Sequence, residues 1–158
     1  MFNNALYKEA REKSEKLECL YKAFEVGDVQ AVEELLNERL LTTTSFSDAR
    51  EDYYHGFLTD ILDARPIWGT SSNLESGHGK SDIILRSAGN KFGTVIEIKR
   101  LKAGNFDKLD GACVEAVKQI NDRKYIASIV LEGYTNIYKY AIAFCVKRCC
   151  VVCEREEL

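Results

Sequence analysis

An α/β fold of the α+β kind, with a mixed central sheet in αβββαβ order flanked by helices, is what this 158-residue sequence predicts. Three observations carry that expectation. The β-branched runs Ser81–Arg86 and Phe92–Arg100 are joined by the turn dipeptide Gly89-Asn90 and read as a hairpin. Apolar residues recur at helical spacing near the N-terminus and again after Gly111. A final apolar stretch, Ile137–Val146, returns to strand character. Length and the single proline favour one compact unit, with a helical hairpin over 1–46 packed on a core over 47–158.

The first helix is expected over about residues 4–25, with Leu6, Leu17, Leu20, Tyr21 and Phe24 as its apolar stripe. Gly27 ends it and Asp28 caps a second helix whose stripe is Val29, Val32, Leu35, Leu36 and Leu40. Thr42–Ser47 is a polar connector, and Asp48 caps a third helix that runs to about Ala64, where Pro66 stops it. Strand Ile67–Leu74 and a Gly-rich turn over Ser76–Lys80 lead into the hairpin. After a loop at Lys102–Asp110, a helix over Gly111–Tyr125 turns Ala112, Cys113, Ala116, Val117 and Ile120 inward. The last strand follows, and the cysteine-rich tail supplies another in one reading of its pattern.

A tight loop at Gly89-Asn90 makes facing residue numbers sum to 179, which sets Asp82 opposite Glu97 and points Lys99 to the same side. Both strands are apolar on two faces, so charges within them are costly. Opposed carboxylates repel unless a cation lies between them, and that converts the repulsion into ligation. Frayed strand ends, or neutralisation by Lys99, would account for the same residues without a metal.

The formal charge of −3 argues against a bulk nucleic-acid binder, yet residues 80–124 carry 10 Lys/Arg against 6 Asp/Glu. A basic rim around an acidic pocket suits a phosphodiester. No apolar run is long enough to cross a membrane, and no hydrophobic leader opens the sequence, so a cytoplasmic protein is expected. Of the six cysteines, Cys19 and Cys113 are expected as buried apolar residues. Cys145, Cys149, Cys150 and Cys153 cluster at the end, where Cys145, Cys149 and Cys153 would share one face of an extended strand. That spacing spreads the thiols instead of converging them on a metal, while the C-x-x-C spacing of Cys150 and Cys153 leaves a zinc or iron–sulfur module as a further reading.

The order of DYYHGFL, SGHGKSDIIL, VIEIK and VKQI followed by Tyr125 resembles the PD-(D/E)XK nuclease superfamily, in the branch found at the C-terminus of bacterial AAA-ATPase-like proteins. The resemblance implies a restriction-endonuclease-like core and a Mg²⁺- or Mn²⁺-dependent deoxyribonuclease. It makes Asp82, Glu97 and Lys99 the catalytic set, with the Ile98 carbonyl as a further metal ligand. Glu51, His55, Glu75, Gln119 and Tyr125 match accessory positions. Glu51 equally fits a capping box with Asp48, His55 a hydrogen-bonded core histidine, Glu75 a turn residue and Gln119 a side chain reaching water. Lys80, Arg100 and Lys102 are the expected nucleic-acid contacts. Implied partners are DNA, with RNA also compatible, an AAA-ATPase-like protein or fused domain, and a second copy of the chain. No Gly-rich Walker sequence occurs, which leaves a rival reading: a non-catalytic DNA-binding or docking module working beside such an ATPase.

Overall fold

The N-terminal apolar stripe folds into α1, Phe2–Val26, in a computed structural model that describes residues 2–43, 51–74, 81–122 and 125–157, with the backbone alone for residues 2, 3, 51, 52, 73, 74, 81, 82, 121, 122 and 125. Gly27 breaks the helix with a left-handed φ of 71°, and a Cβ there would come within 2.7 Å of the Tyr138 ring. Both the conformation and the close approach require glycine. Asp28 then caps α2, Val29–Thr42, its carboxylate accepting from the Ala31 amide at 3.2 Å. Val32, Leu36 and Leu40 of α2 are buried, as the stripe requires.

The rest of the chain supplies α3 (Glu51–Asp63), β1 (Trp68–Leu74), β2 (Ser81–Ser87), β3 (Phe92–Leu101), α4 (Leu109–Asp122), α5 (Tyr125–Leu131), β4 (Asn136–Cys145) and β5 (Arg148–Arg155). The strands form one sheet in the order β1-β2-β3-β4-β5. Only β3 and β4 run parallel, because the segment between them carries the crossover helices. The expected αβββαβ core is present, in a mixed sheet consistent with a restriction-endonuclease-like fold.

Helices cover both faces of the sheet. On one, Leu20, Phe24, Leu36, Tyr54 and Leu58 from α1–α3 pack on Ile83, Leu85, Ile96, Ile98, Tyr140, Ile142 and Phe144. On the other, Cys113, Ala116 and Val117 of α4 lie against Ala141, Ala143 and Cys145, where small side chains let the helix approach closely. The outer edge of β5 is closed by α2. Cys149 donates its amide to Asn37 Oδ1 at 2.8 Å and Val151 donates to Glu33 Oε2 at 3.0 Å, while Asn37 Nδ2 donates back to the Cys149 carbonyl at 3.2 Å.

Several expectations need correction. The β2–β3 connection spans residues 88–91, wider than two, with the left-handed conformation on Lys91 at φ 52° and not on Gly89. The extra residues are symmetric about the turn, so the ladder register survives. The fourth helix begins at Leu109, after a 3-10 turn over Phe106–Lys108, and ends at Asp122, whereas the third ends at Asp63 as expected. Helix α5 was not expected. It is short, and it docks through Ile129 against Val95 and Ile137, with Ile129 filling the space that a Gly93 side chain would take. Cys19 is exposed, because it lies off the buried stripe of α1. Cys145 does not share a face with Cys149 and Cys153. A tight turn at Val146-Lys147 puts Cys145 at the end of β4 under α4, while Cys149 and Cys153 pack with the α1–α3 layer. The Asp48 cap, most of the Thr42–Ser47 connector and the Gly-rich turn at 76–80 lie outside the described residues.

Candidate active site

In the β2–β3 ladder Asp82 pairs with Glu97, Ile83 with Ile96 and Ile84 with Val95, each sum being the 179 that the sequence implies. Extending the row through neighbouring ladders gives Asn73, Asp82, Glu97, Ala141 and Val152. Paired residues share a face, and Ala141 lies under α4, so this row belongs to the α4 side of the sheet. Lys99, two residues beyond Glu97 and beside Ala143, belongs to the same side. Sequence reasoning did not pick out Asn73, although strand 67–74 paired to the hairpin would have brought it next to Asp82.

The strand sequence explains why Glu97 is conspicuous. From Phe92 to Ile98 every residue of β3 is buried, and Glu97 has no solvent exposure. Lys139 is the other buried charge among the described residues, and it is held by Glu154 and Glu156 at 3.3 and 3.1 Å. Burying a carboxylate costs on the order of several kcal/mol unless opposite charge, donors or a proton offset it, which makes Glu97 the residue of β3 least expected on packing grounds. Lys99 is half-buried at the rim of the same face.

Gln119 stands on α4, the helix that covers this face. Its Oε1 is shut away from water and meets no hydrogen-bond donor among the described residues. An acceptor so placed is available to a group that enters the site. His55 stands elsewhere: its Nε2 is 2.9 Å from Ser72 Oγ, and Ser72 pairs with Ile83 on the α1–α3 side. The structure therefore does not bring His55 onto the face of Glu97 and Lys99. Arg100 alternates away from Lys99 and pairs with Phe144, which puts it on the α3 side as well. Lys102 is exposed just past the end of β3.

Glu75 and Lys80 lie outside the described residues, as do the side chains of Glu51, Asp82 and Tyr125. Among the described residues no three His, Cys, Asp or Glu side chains gather for a metal. A groove of about 510 Å³ between α1, α2 and α3, lined by Leu17, Arg39, Tyr53, Phe57 and Asp60, is on the opposite layer from Glu97 and takes no part in this arrangement.

What the row offers chemically is a pair of carboxylate positions at adjacent strands, a lysine two residues on, and a glutamine on the covering helix. Oxygen donors dominate, with no histidine or cysteine on these register positions, which suits a hard divalent cation. The family model of the PD-(D/E)XK nuclease superfamily matches residues 49–154, which include every one of these positions. No curated protein matches the chain.

Proposed function

Because the chain belongs to the PD-(D/E)XK nuclease superfamily, we propose that it is a deoxyribonuclease that hydrolyses phosphodiester bonds with Mg²⁺ or Mn²⁺. The observation that carries this reading is the register that opposes Asp82 to a wholly buried Glu97. Nucleases of this superfamily generally use divalent metal ions, and the donor set fits one. Asp82, Glu97 and the Ile98 carbonyl would hold it, with Glu51 as a further candidate. When bound, a hard divalent ion lowers the pKa of a coordinated water and offsets negative charge on the phosphoryl oxygens.

The protein's own contributions follow from position. Lys99, at the rim of the face, donates to the attacking water or to the phosphoryl oxygen as negative charge accumulates there. Gln119 presents its amide from α4 and fixes the strand beside the carboxylates. The apolar neighbours Val95, Ala141 and Ala143 exclude water from behind the site, which strengthens each electrostatic contact in front of it.

Supercoiled plasmid, single-stranded DNA and RNA, each incubated with Mg²⁺, Mn²⁺ or chelator, test the proposal. Metal-dependent cleavage of DNA that chelator abolishes is the expected result. Absence of cleavage on every substrate with both ions would reject the enzyme, and preference for RNA would reassign its substrate.

A further inference from the structure

The turn between β4 and β5 consists of only Val146 and Lys147, since Cys145 pairs directly with Arg148. Val146 adopts a left-handed φ of 54°. Two-residue hairpins use glycine or asparagine at such a position, and a β-branched residue there is an outlier that the surroundings must enforce. They do so here. The Tyr54 hydroxyl donates to the Val146 carbonyl at 2.7 Å, and the Tyr54 ring stacks on Phe144 with centroids 4.4 Å apart. A strained turn held in this way fixes the backbone that carries Lys147 and Arg148.

Arg148 shares the face of its partner Cys145, which is the face of Glu97 and Lys99. Its guanidinium lies 5.9 Å from the Phe106 ring centre. The Cys145 thiol donates to the Lys102 carbonyl at 3.4 Å, tying the loop after β3 to the hairpin tip. Lys102, Lys108 and Arg148 are all exposed. Asp107 and Asp110 lie on the same segment, and Asp110 accepts from the Cys150 thiol at 3.2 Å. These contacts bring Lys102 and the Phe106–Asp110 segment, with Lys108, against the hairpin tip that carries Arg148, at the end of the sheet nearest Lys99.

We propose that Lys147 and Arg148, with Lys102 and Lys108, form a rim that grips the sugar-phosphate backbone on one side of the cleavage point. This inference rests on the nuclease reading above and adds where the strand runs. The row of Arg148 is four residues beyond that of Glu97, about 13 Å along the strands. That is close to four nucleotide steps at roughly 3.4 Å per step of duplex. A duplex laid along the strands with its scissile phosphate at the carboxylates therefore reaches the hairpin tip within about four base pairs. An acidic peptide would satisfy the same charges, but nothing would align it with the carboxylate row.

The test measures binding of a fluorescent 20-base-pair duplex by anisotropy over a salt series with Ca²⁺ in place of Mg²⁺, in a Lys99→Ala background that slows cutting, with the duplex checked intact on a gel afterwards. The double variant Lys147→Gln/Arg148→Gln, with its melting temperature checked against the background protein, should bind at least fivefold more weakly at low salt. Its slope of log affinity on log salt should fall by about 1 to 2, one phosphate contact accounting for about 0.9. An unchanged slope with intact folding overturns the rim while leaving the nuclease reading in place. Failure of the background protein to bind DNA at any salt removes both. Loss of binding to an acidic peptide with no change toward DNA would mark a protein-docking surface and also overturn the proposal.

Discussion

Asp82 stands directly opposite Glu97 in the β2–β3 ladder, and Glu97 is shut off from water. Without a cation such a pair repels, or one member holds a proton. Asp82→Asn removes the repulsion at constant size. In chelator the variant should melt at or above the parent, by an amount on the order of 1 kcal/mol. Mg²⁺ or Mn²⁺ should then stabilise the parent more than the variant. Thermal melts with and without metal check both halves, and a variant less stable in chelator that gains as much from metal as the parent would exclude Asp82 as a ligand.

Lys99→Ala should lower the cleavage rate on the order of 10²-fold or more while leaving DNA affinity within a few-fold, because the charge it answers develops in the transition state. Single-turnover kinetics beside equilibrium binding separate the two. Near-parental cutting would remove Lys99 from the mechanism.

The carboxylate pair was legible in the sequence because a hairpin fixes register by arithmetic, and the arithmetic tolerated a loop wider than expected. The helical hairpin was legible for the same local reason, a stripe of apolar residues closed by Gly27 and Asp28. Helix α5 was not, since seven residues carry too little periodicity and its docking depends on Gly93, far away in sequence. The tail strand was legible as one of two readings, but the face shared by Cys145, Cys149 and Cys153 assumed an unbroken alternation, and Val146 carries no turn signal to show where it reverses. The place of His55 depended on how α3 lies across the sheet, which no local pattern encodes.

Tyr54→Phe deletes the hydroxyl that holds the Val146 carbonyl and should cost about 1 kcal/mol. Val146→Gly should offset much of its lost packing by relieving the left-handed conformation, leaving it closer to the parent than burial of the side chain alone implies. Denaturant unfolding of both variants checks the pair. A Val146→Gly protein that loses all the packing of this half-buried side chain, on the order of 1 kcal/mol, with no offset would show that the turn is not strained.

Thiol chemistry should separate the cysteines. Cys19 is exposed, Cys113, Cys145 and Cys149 are buried, and burial pushes the Cys153 thiol up to about 11. An aromatic disulfide reagent at pH 8 should titrate one thiol quickly, and Cys19→Ser should abolish that phase. Cys150→Ser with Cys153→Ser should leave metal-dependent cleavage intact, whereas loss of cleavage or stoichiometric bound zinc would give the cluster a metal role.

Arg86 holds Glu132 through two hydrogen bonds, 2.6 and 2.8 Å, joining β2 to the end of α5. The bonded guanidinium lowers the Glu132 carboxyl below its ordinary value. The stabilisation is therefore present above the unfolded carboxylate pKa and is lost as pH falls through the depressed folded one. Glu132→Gln should lower stability modestly at neutral pH, where the fork is intact, and converge with the parent as pH falls, so that the acid limb flattens. An identical acid limb in parent and variant would show that the fork contributes nothing measurable.

The amide and carbonyl groups that Asn37 and Glu33 satisfy on β5 are those through which an open strand recruits another. With them occupied by side chains of its own helix, the sheet has a terminus that cannot template growth. Loss of α2 would turn that boundary into an adhesive one, so a fragment beginning at α3 is expected to aggregate before it fails in catalysis.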